Sequence, residues 1–204
     1  MAHLLHIDSS PLGDASVSRQ LTAEIASAWT KANPGGTVSH LDVAATPLDH
    51  LTAELMQVVK FRNLDGLNDR QQQELATTDA LVDQLLASDI LVIGAPMFNF
   101  SVPSQLKTWI DRICQAGRTF RYTETGPVGM VTGKKAIIIS TRGGIHSTNP
   151  AVTALDHQEA YLKTVLGFIG ITDVTIIRAE GMGMGPAVKD PAIEAALADI
   201  ANLF

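Results

Sequence analysis

Short apolar runs alternate along the chain with longer segments whose apolar positions recur at helical spacing. His3 to Ile7 is such a run, closed by Asp8-Ser9-Ser10-Pro11, and it predicts a strand followed by turn chemistry. From Ser18 to Ala32, Leu21, Ile25, Ala28 and Trp29 recur at three- and four-residue spacings, a helical stripe ended by Pro34-Gly35. Thr37 to Leu41 alternates as a second strand, and Thr52 to about Ala87 reads as helix with a break at Asp65-Gly66. Ile90 to Ala95 is an unbroken, largely β-branched run, the mark of a strand buried on both faces. The loop Pro96 to Pro103 leads into a helix from Ser104 to about Ala116. Residues 117–133, rich in Gly and Thr, predict a hairpin-like excursion. Lys135 to Ser140 is the fourth strand, His157 to Ile169 a helix, Val174 to Ala179 the fifth strand, and Pro191 to Leu203 the closing helix.

Strand and helix in regular alternation imply a parallel sheet with helices on both faces, and right-handed crossovers leave few topologies. Five strands fit the flavodoxin-like order 2-1-3-4-5 of a three-layer α/β sandwich, and no linker or repeat divides residues 1–204, so one domain is expected. In such sheets ligands bind at the carboxyl ends of the strands around the switch point. That nominates the loops after Asp8, Ala95 and Ser140 before any motif is considered.

Composition narrows the class. The 15 Lys and Arg against 21 Asp and Glu leave a net charge of −6, which argues against a general nucleic-acid binder. The lone Cys114 precludes an internal disulfide and is expected to be buried and inert. No Cys/His cluster offers a zinc site, so no metal is expected. The amino-terminal stretch is too short for a signal sequence, and no apolar run reaches membrane-spanning length, so a cytoplasmic protein without membrane association is expected.

The three loops carry distinct chemistry. Ser9-Ser10-Pro11-Leu12-Gly13-Asp14-Ala15-Ser16-Val17-Ser18 runs into a helix whose free N–H groups and positive dipole end suit a phosphate, although Ser16 or Ser18 also reads as a simple cap. It lacks the Gly-Lys-Ser/Thr of a triphosphatase loop. Pro96-Met97-Phe98-Asn99-Phe100-Ser101-Val102-Pro103 offers aromatic and thioether groups for the faces of a planar ring and an amide for its edge, unless its Phe side chains fold back into the core. Thr141-Arg142-Gly143-Gly144-Ile145-His146 permits close backbone approach at its glycines, with Arg142 and His146 as sources of positive charge, or is a plain strand-to-helix turn. Gly181-Met-Gly-Met-Gly185 follows the fifth strand rather than the first and is followed by Pro186, so it does not read as a dinucleotide fingerprint.

Taken together these segments resemble the FMN-dependent NAD(P)H azoreductases of the flavodoxin-like quinone reductase superfamily. The resemblance spans essentially the whole chain. It rests on Pro-Met-Phe-Asn-Phe at 96–100, Thr-Phe-Arg-Tyr-Thr-Glu at 119–124, Gly-Pro-Val-Gly-Met-Val-Thr-Gly-Lys-Lys-Ala at 126–136, Arg-Gly-Gly-Ile-His at 142–146 and Leu-Gly-Phe-Ile-Gly-Ile-Thr-Asp at 166–173. It implies that Ser10, Ser16, Val17 and Ser18 hold the FMN phosphate. Met97, Phe98, Asn99 and Phe100 would flank the ring system, and Thr141, Arg142, Gly143 and Gly144 its pyrimidine side. Many members carry Tyr where this chain has Phe98, which removes a hydroxyl and bears on substrate range.

The resemblance also implies a homodimer, with the 119–131 excursion helping to roof the partner's site and Phe120 and Tyr122 meeting substrate. The implied reaction is a ping-pong cycle in which NADH or NADPH delivers hydride and leaves, after which an azo dye or quinone is reduced by two electrons. The Gly143-Gly144 backbone and His146 are the candidate donors that stabilise reduced flavin. Azo cleavage incidental to quinone or nitroaromatic reduction is one alternative. Others are an ester hydrolase, for which no Gly-x-Ser-x-Gly elbow exists, and a flavin-binding module without turnover. Seven of the 15 basic residues fall between Lys107 and Arg142, opposed only by Asp111 and Glu124; Lys134 and Lys135 read as solvated surface, and several of the others are expected to line an entrance for anionic NAD(P)H or sulfonated substrates.

Overall fold

A computed structural model describes all 204 residues. In chain order the elements are β1 (His3–Asp8), α1 (Val17–Ala32), β2 (Thr37–Asp42), α2 (Ala53–Leu55, continued by a π-turn at Met56–Lys60), α3 (Asp69–Ala87), β3 (Ile90–Pro96) and α4 (Ser104–Ile113). They continue with β4 (Phe120–Thr123), β5 (Gly126–Gly129), β6 (Lys135–Thr141), α5 (Pro150–Thr153), α6 (Glu159–Ile169), β7 (Asp173–Ala179) and α7 (Pro186–Ala201). Five parallel strands pair in the order β2-β1-β3-β6-β7. With the antiparallel hairpin β4–β5 left out of the count, this is the expected 2-1-3-4-5 arrangement.

Burial follows strand position. The central strands β1, β3 and β6 are buried on both faces after their first residue, whereas β2 and β7 at the edges are partly exposed. Alternate side chains feed two cores. Leu5, Ile7, Leu91, Ile93 and Ile138 meet Leu81, Leu85, Trp109, Ile113, Leu162 and Leu166 of α3, α4 and α6 on one face. On the other, Leu4, Val92, Ile137, Ile139 and Ile177 meet Leu21, Ile25 and Trp29 of α1 and Ile200 of α7. These aliphatic cores hold the carboxyl ends of the strands, and so the loops that follow them, in one rigid frame.

Three local features depart from expectation. The closing helix begins at Pro186 rather than Pro191: Pro186 fills its first turn, where a missing N–H costs nothing, and Pro191 is carried inside the helix. Cys114 caps α4 instead of sitting within it, half-buried, and burial pushes its thiol up, away from thiolate. Most of the basic stretch is neutralised by pairing, and of it Lys107 borders the cavity beside Phe98 and Asn99. Arg112 is fully buried against Glu74 at 2.5 Å, Lys107 pairs with Asp111 at 2.6 Å, and Arg118 pairs with Asp79 at 2.9 Å and with Asp83. Lys134 and Lys135 lie at the amino end of β6, away from the candidate loops. Local charge density says nothing about partners brought in from α3, which is why the sequence overstated the free positive charge.

The hairpin is fixed by a backbone contact that only glycine permits. A Cβ on Gly129 would stand 2.2 Å from the amide nitrogen of Gly170, the left-handed cap of α6, and Val131 N donates to Ile169 O at 2.8 Å beside it. No helix is long and apolar enough to cross a membrane.

Candidate active site

Four loops meet at the carboxyl edge of the sheet. The first, after Asp8, is anchored by Ser9, whose Oγ donates to Gly94 O of β3 at 2.6 Å. Its next residue, Ser10, is held through its carbonyl, which accepts from Arg19 Nε at 3.2 Å and Nη2 at 2.9 Å. Arg19 in turn forms a two-pronged pair with Asp42. Burial opposes the Asp42 charge, but Arg19 and the amides of Ala44 and Ala45 outweigh it and hold the carboxyl below its ordinary range. Ser16 caps α1, accepting from Arg19 N at 3.4 Å, and its hydroxyl lies 2.9 Å from that of Ser18. Val17 and Ser18 open the helix, so their amides have no intrahelical acceptor. Ser10, Ser16, Val17 and Ser18 are thus brought together at one helix start, with three buried hydroxyls and free amides. Sequence reasoning missed Arg19 and Asp42, because nothing local ties residue 19 to residue 42.

The second loop turns more sharply than its composition indicates. Phe98 N donates to Ser101 O at 2.9 Å and Ser101 N returns to Phe98 O at 3.0 Å, with Asn99 (φ 47°) and Phe100 (φ 72°) both left-handed between them. Two consecutive positive φ values are what a two-residue I′ turn requires, and Asn accepts that conformation far more readily than Phe. The turn is braced by His157 N, which donates to Phe100 O at 2.9 Å, and by Met97 N, which donates to Thr141 O at 2.8 Å. Both Phe98 and Phe100 project outward rather than into the core, at 38% and 49% exposure. Phe98 and Asn99 border a cavity of about 530 Å³ whose other walls include Pro11 of the first loop, Val102 and Tyr161. Burial pushes the Tyr161 phenol up to about 12, so it stays a neutral hydrogen-bonding group.

The third and fourth loops are stitched together. Gly183 N donates to Gly143 O at 2.9 Å, Met182 N to Arg142 O at 2.9 Å and Gly181 N to Gly144 O at 3.0 Å. Glu180 clamps the far end, accepting from His146 N at 2.9 Å and Ser147 N at 3.1 Å and from the Ser147 hydroxyl. Arg142 occupies a different role from the one expected. Its guanidinium is buried among Asp156, Glu159 and Glu180, and its amide donates to Ala179 O, so its charge is spent inside the protein. It positions the loop and offers no free cation. His146 is 9% exposed with Nδ1 unpartnered, and its Nε2 lies 3.9 Å from where a Gly144 Cβ would stand.

Gly143 and Gly144 have no internal reason to be glycine. Neither has a positive φ, and a Cβ on Gly143 meets nothing within 4 Å. What a side chain there would occupy is the open space over the loop, and this fits a group that approaches the backbone closely. The flat, outward-facing Phe pair, the pair of open glycines and the helix start with free amides match a planar ligand bearing a phosphate.

Phe120 and Tyr122 lie elsewhere in the chain. Their rings meet edge to face at 5.4 Å, Phe120 packs on Phe168 at 4.5 Å, and together they border an apolar recess of about 390 Å³ with Met56, Phe61 and Cys114. This recess shares no lining residue with the cavity at Phe98.

Comparison with known proteins identifies the family. The profile of a family described as having a flavodoxin-like fold matches residues 2–204. An FMN-dependent NADH:quinone oxidoreductase of Azospirillum brasilense is 68% identical over 197 residues, covering 97% of this chain and 95% of that protein. One from Ralstonia nicotianae is 55% identical over 202 residues, covering 98% and 97%. Among solved structures, an FMN-dependent NADH-azoreductase from Bacillus anthracis in complex with FMN superposes with a TM-score of 0.89 at 26% identity, covering 98% of this chain and 96% of that one.

Proposed function

This chain belongs to the flavodoxin-like-fold family, in the group of FMN-dependent NADH:quinone oxidoreductases, and from that premise we propose that it uses bound FMN to reduce quinones and azo compounds at the expense of NADH or NADPH in a ping-pong cycle. The observation that carries the reading is the open backbone at Gly143 and Gly144 beside the outward-facing Phe98 and Phe100. Bound FMN supplies the two-electron redox chemistry, which no side chain of this protein provides. The chain's own contribution is binding, orientation and electrostatics. Ser10, Ser16 and Ser18 with the amides of Val17 and Ser18 hold the phosphate, where the helix dipole favours negative charge. Met97, Phe98, Asn99 and Phe100 supply the contacts to the ring system, and Thr141 ties that loop to the third one. The Gly143 and Gly144 amides and His146 would be the donors toward the negative charge that bound FMN gains on reduction.

Quinone or nitroaromatic reduction with incidental azo cleavage remains the narrower form of this reading. The enzyme acts in the cytoplasm as a homodimer in which the β4–β5 hairpin, Phe120 and Tyr122 complete the partner's substrate site. The 74% exposure of Tyr122 in one protomer supports such a contact.

Purified protein should be yellow, or become so on adding FMN, and anaerobic NADH should bleach the flavin absorbance stoichiometrically. Reoxidation by a quinone and by an azo dye in separate stopped-flow mixes then ranks the acceptors, and His146→Ala should slow the reductive half-reaction. Colourless protein that takes up no FMN would overturn the reading as a whole.

A further inference from the structure

We propose that His6, Asp8 and His40 form a binding site for a divalent first-row transition ion of the zinc type, on the α1 face of the sheet beside the first loop. His6 and Asp8 alternate onto one face of β1, and the parallel register sets His40 of β2 directly beside His6. Their ligating atoms converge. His40 Nε2 lies 2.9 Å and His6 Nε2 3.2 Å from the same oxygen, Asp8 Oδ2, and all three lie within 4.8 Å of one another. In a tetrahedral zinc site, bonds of about 2.0–2.1 Å put neighbouring ligand atoms about 3.3 Å apart, so the two separations to Asp8 already match the needed spacing and the two imidazoles need only close toward it.

A hydrogen-bonded triad alone does not account for the arrangement. His6 is only 6% exposed, yet its Nε2, aimed into the cluster, makes no hydrogen bond of acceptable geometry. A buried imidazole nitrogen whose neighbour is a carboxylate oxygen 3.2 Å away, out of line for a hydrogen bond, is better satisfied by an ion that takes its lone pair. Asp8 is already oriented as a metal-binding carboxylate is, its second oxygen accepting from the Thr22 hydroxyl at 2.8 Å. His40 has half its side chain exposed, which leaves a solvent-facing side for entry and for a water as fourth ligand. Arg19 Nη1 stands 3.9 Å from Asp8 Oδ2, but its charge is matched by Asp42. Two imidazoles with one carboxylate favour zinc or a neighbouring ion over calcium or magnesium, which prefer all-oxygen sites.

The three residues are spread over two strands with none of the spacings of a local motif, which is why the sequence predicts no metal. The site is separate from the proposed flavin contacts, and zinc binding and flavin reduction can each fail without the other.

The test is calorimetric titration of tag-free, FMN-loaded enzyme with zinc sulfate, with anomalous diffraction at the zinc edge to place the ion. We expect one zinc per chain at micromolar affinity or better, weakened about tenfold or more in both His40→Ala and Asp8→Asn, and unchanged in the control His50→Ala. His40 is half-exposed, so its variant tests the site without threatening the fold. Failure to bind an equivalent of zinc, or binding that survives either ligand substitution, overturns the proposal.

Discussion

Glu180 Oε1 lies 3.1 Å from Arg142 Nη1, and this pair joins the loop after β7 to the loop that presents Gly143 and Gly144. The same carboxylate takes the amides of His146 and Ser147, so one side chain sets both the glycine backbone and the histidine behind it. Burial works against the Glu180 charge, but the Ser147 hydroxyl, the His146 amide and Arg142 outweigh it and hold its carboxyl below the usual range.

Glu180→Gln should therefore loosen both the site and the fold. Arg142 keeps Asp156 and Glu159, so a stability loss of about 1–3 kcal/mol is expected, the cost of a weakened buried polar contact rather than of an abandoned charge. FMN should dissociate faster by about tenfold, which follows from the same free energy acting on a preorganised site. Urea unfolding and the rate of flavin release measure the two effects separately.

Gly144→Ala isolates the space over the loop. Its backbone needs no positive φ and its new methyl would meet only His146 Nε2 at 3.9 Å, so the flavin-free protein should unfold within about 0.5 kcal/mol of the wild type. FMN affinity should nonetheless fall by about tenfold or more, because the methyl enters the space a ligand needs. Equal FMN affinity in the two proteins would place the ligand away from this loop.

Phe100→Gly tests the strained turn. A bulky residue in the left-handed region costs about 1–3 kcal/mol, and glycine removes that strain at an entropic cost of about 0.5–1 kcal/mol. The variant should therefore be as stable as the parent or up to about 2 kcal/mol more so, while its KM for quinones rises through loss of the exposed ring. Asn99→Gly is the control, with little change in stability, since Asn tolerates that conformation.

Asp8 makes stability depend on acid. Burial opposes its charge, but the contact with His6, the His40 hydrogen bond and the Thr22 hydroxyl prevail and lower its pKa from 3.8 to about 2. A carboxyl depressed in the folded state stabilises the protein fully above its unfolded pKa and loses that contribution as pH falls through its folded one. The wild type should exceed Asp8→Asn by on the order of 2 kcal/mol near neutral pH. The gap should begin to close below pH 3.8 and be largely gone near pH 2, as read by urea denaturation at each pH.

The sequence alone determined the architecture and the edge of the sheet that carries the candidate site. Continuous β-branched runs at Ile90–Ala95 and Lys135–Ser140, and the helical stripe at Leu21, Ile25 and Trp29, are local patterns, and burial on two faces or one stripe leaves its signature in neighbouring residues. The loops at Ser9–Ser18, Met97–Phe100 and Thr141–Gly144 were legible for the same reason, since each adjoins a strand end. Only the tertiary structure decided what depends on residues far apart in the chain. It set Arg142 inside a cage of three carboxylates, made Glu180 the clamp of the glycine loop, and neutralised Arg112 and Arg118 with acids from α3. It also forced Phe100 into a left-handed turn and gathered His6, Asp8 and His40 into one cluster. Charge pairing and close approach act through space and leave no periodicity, so they become visible only when the packed cores have brought the strand ends together.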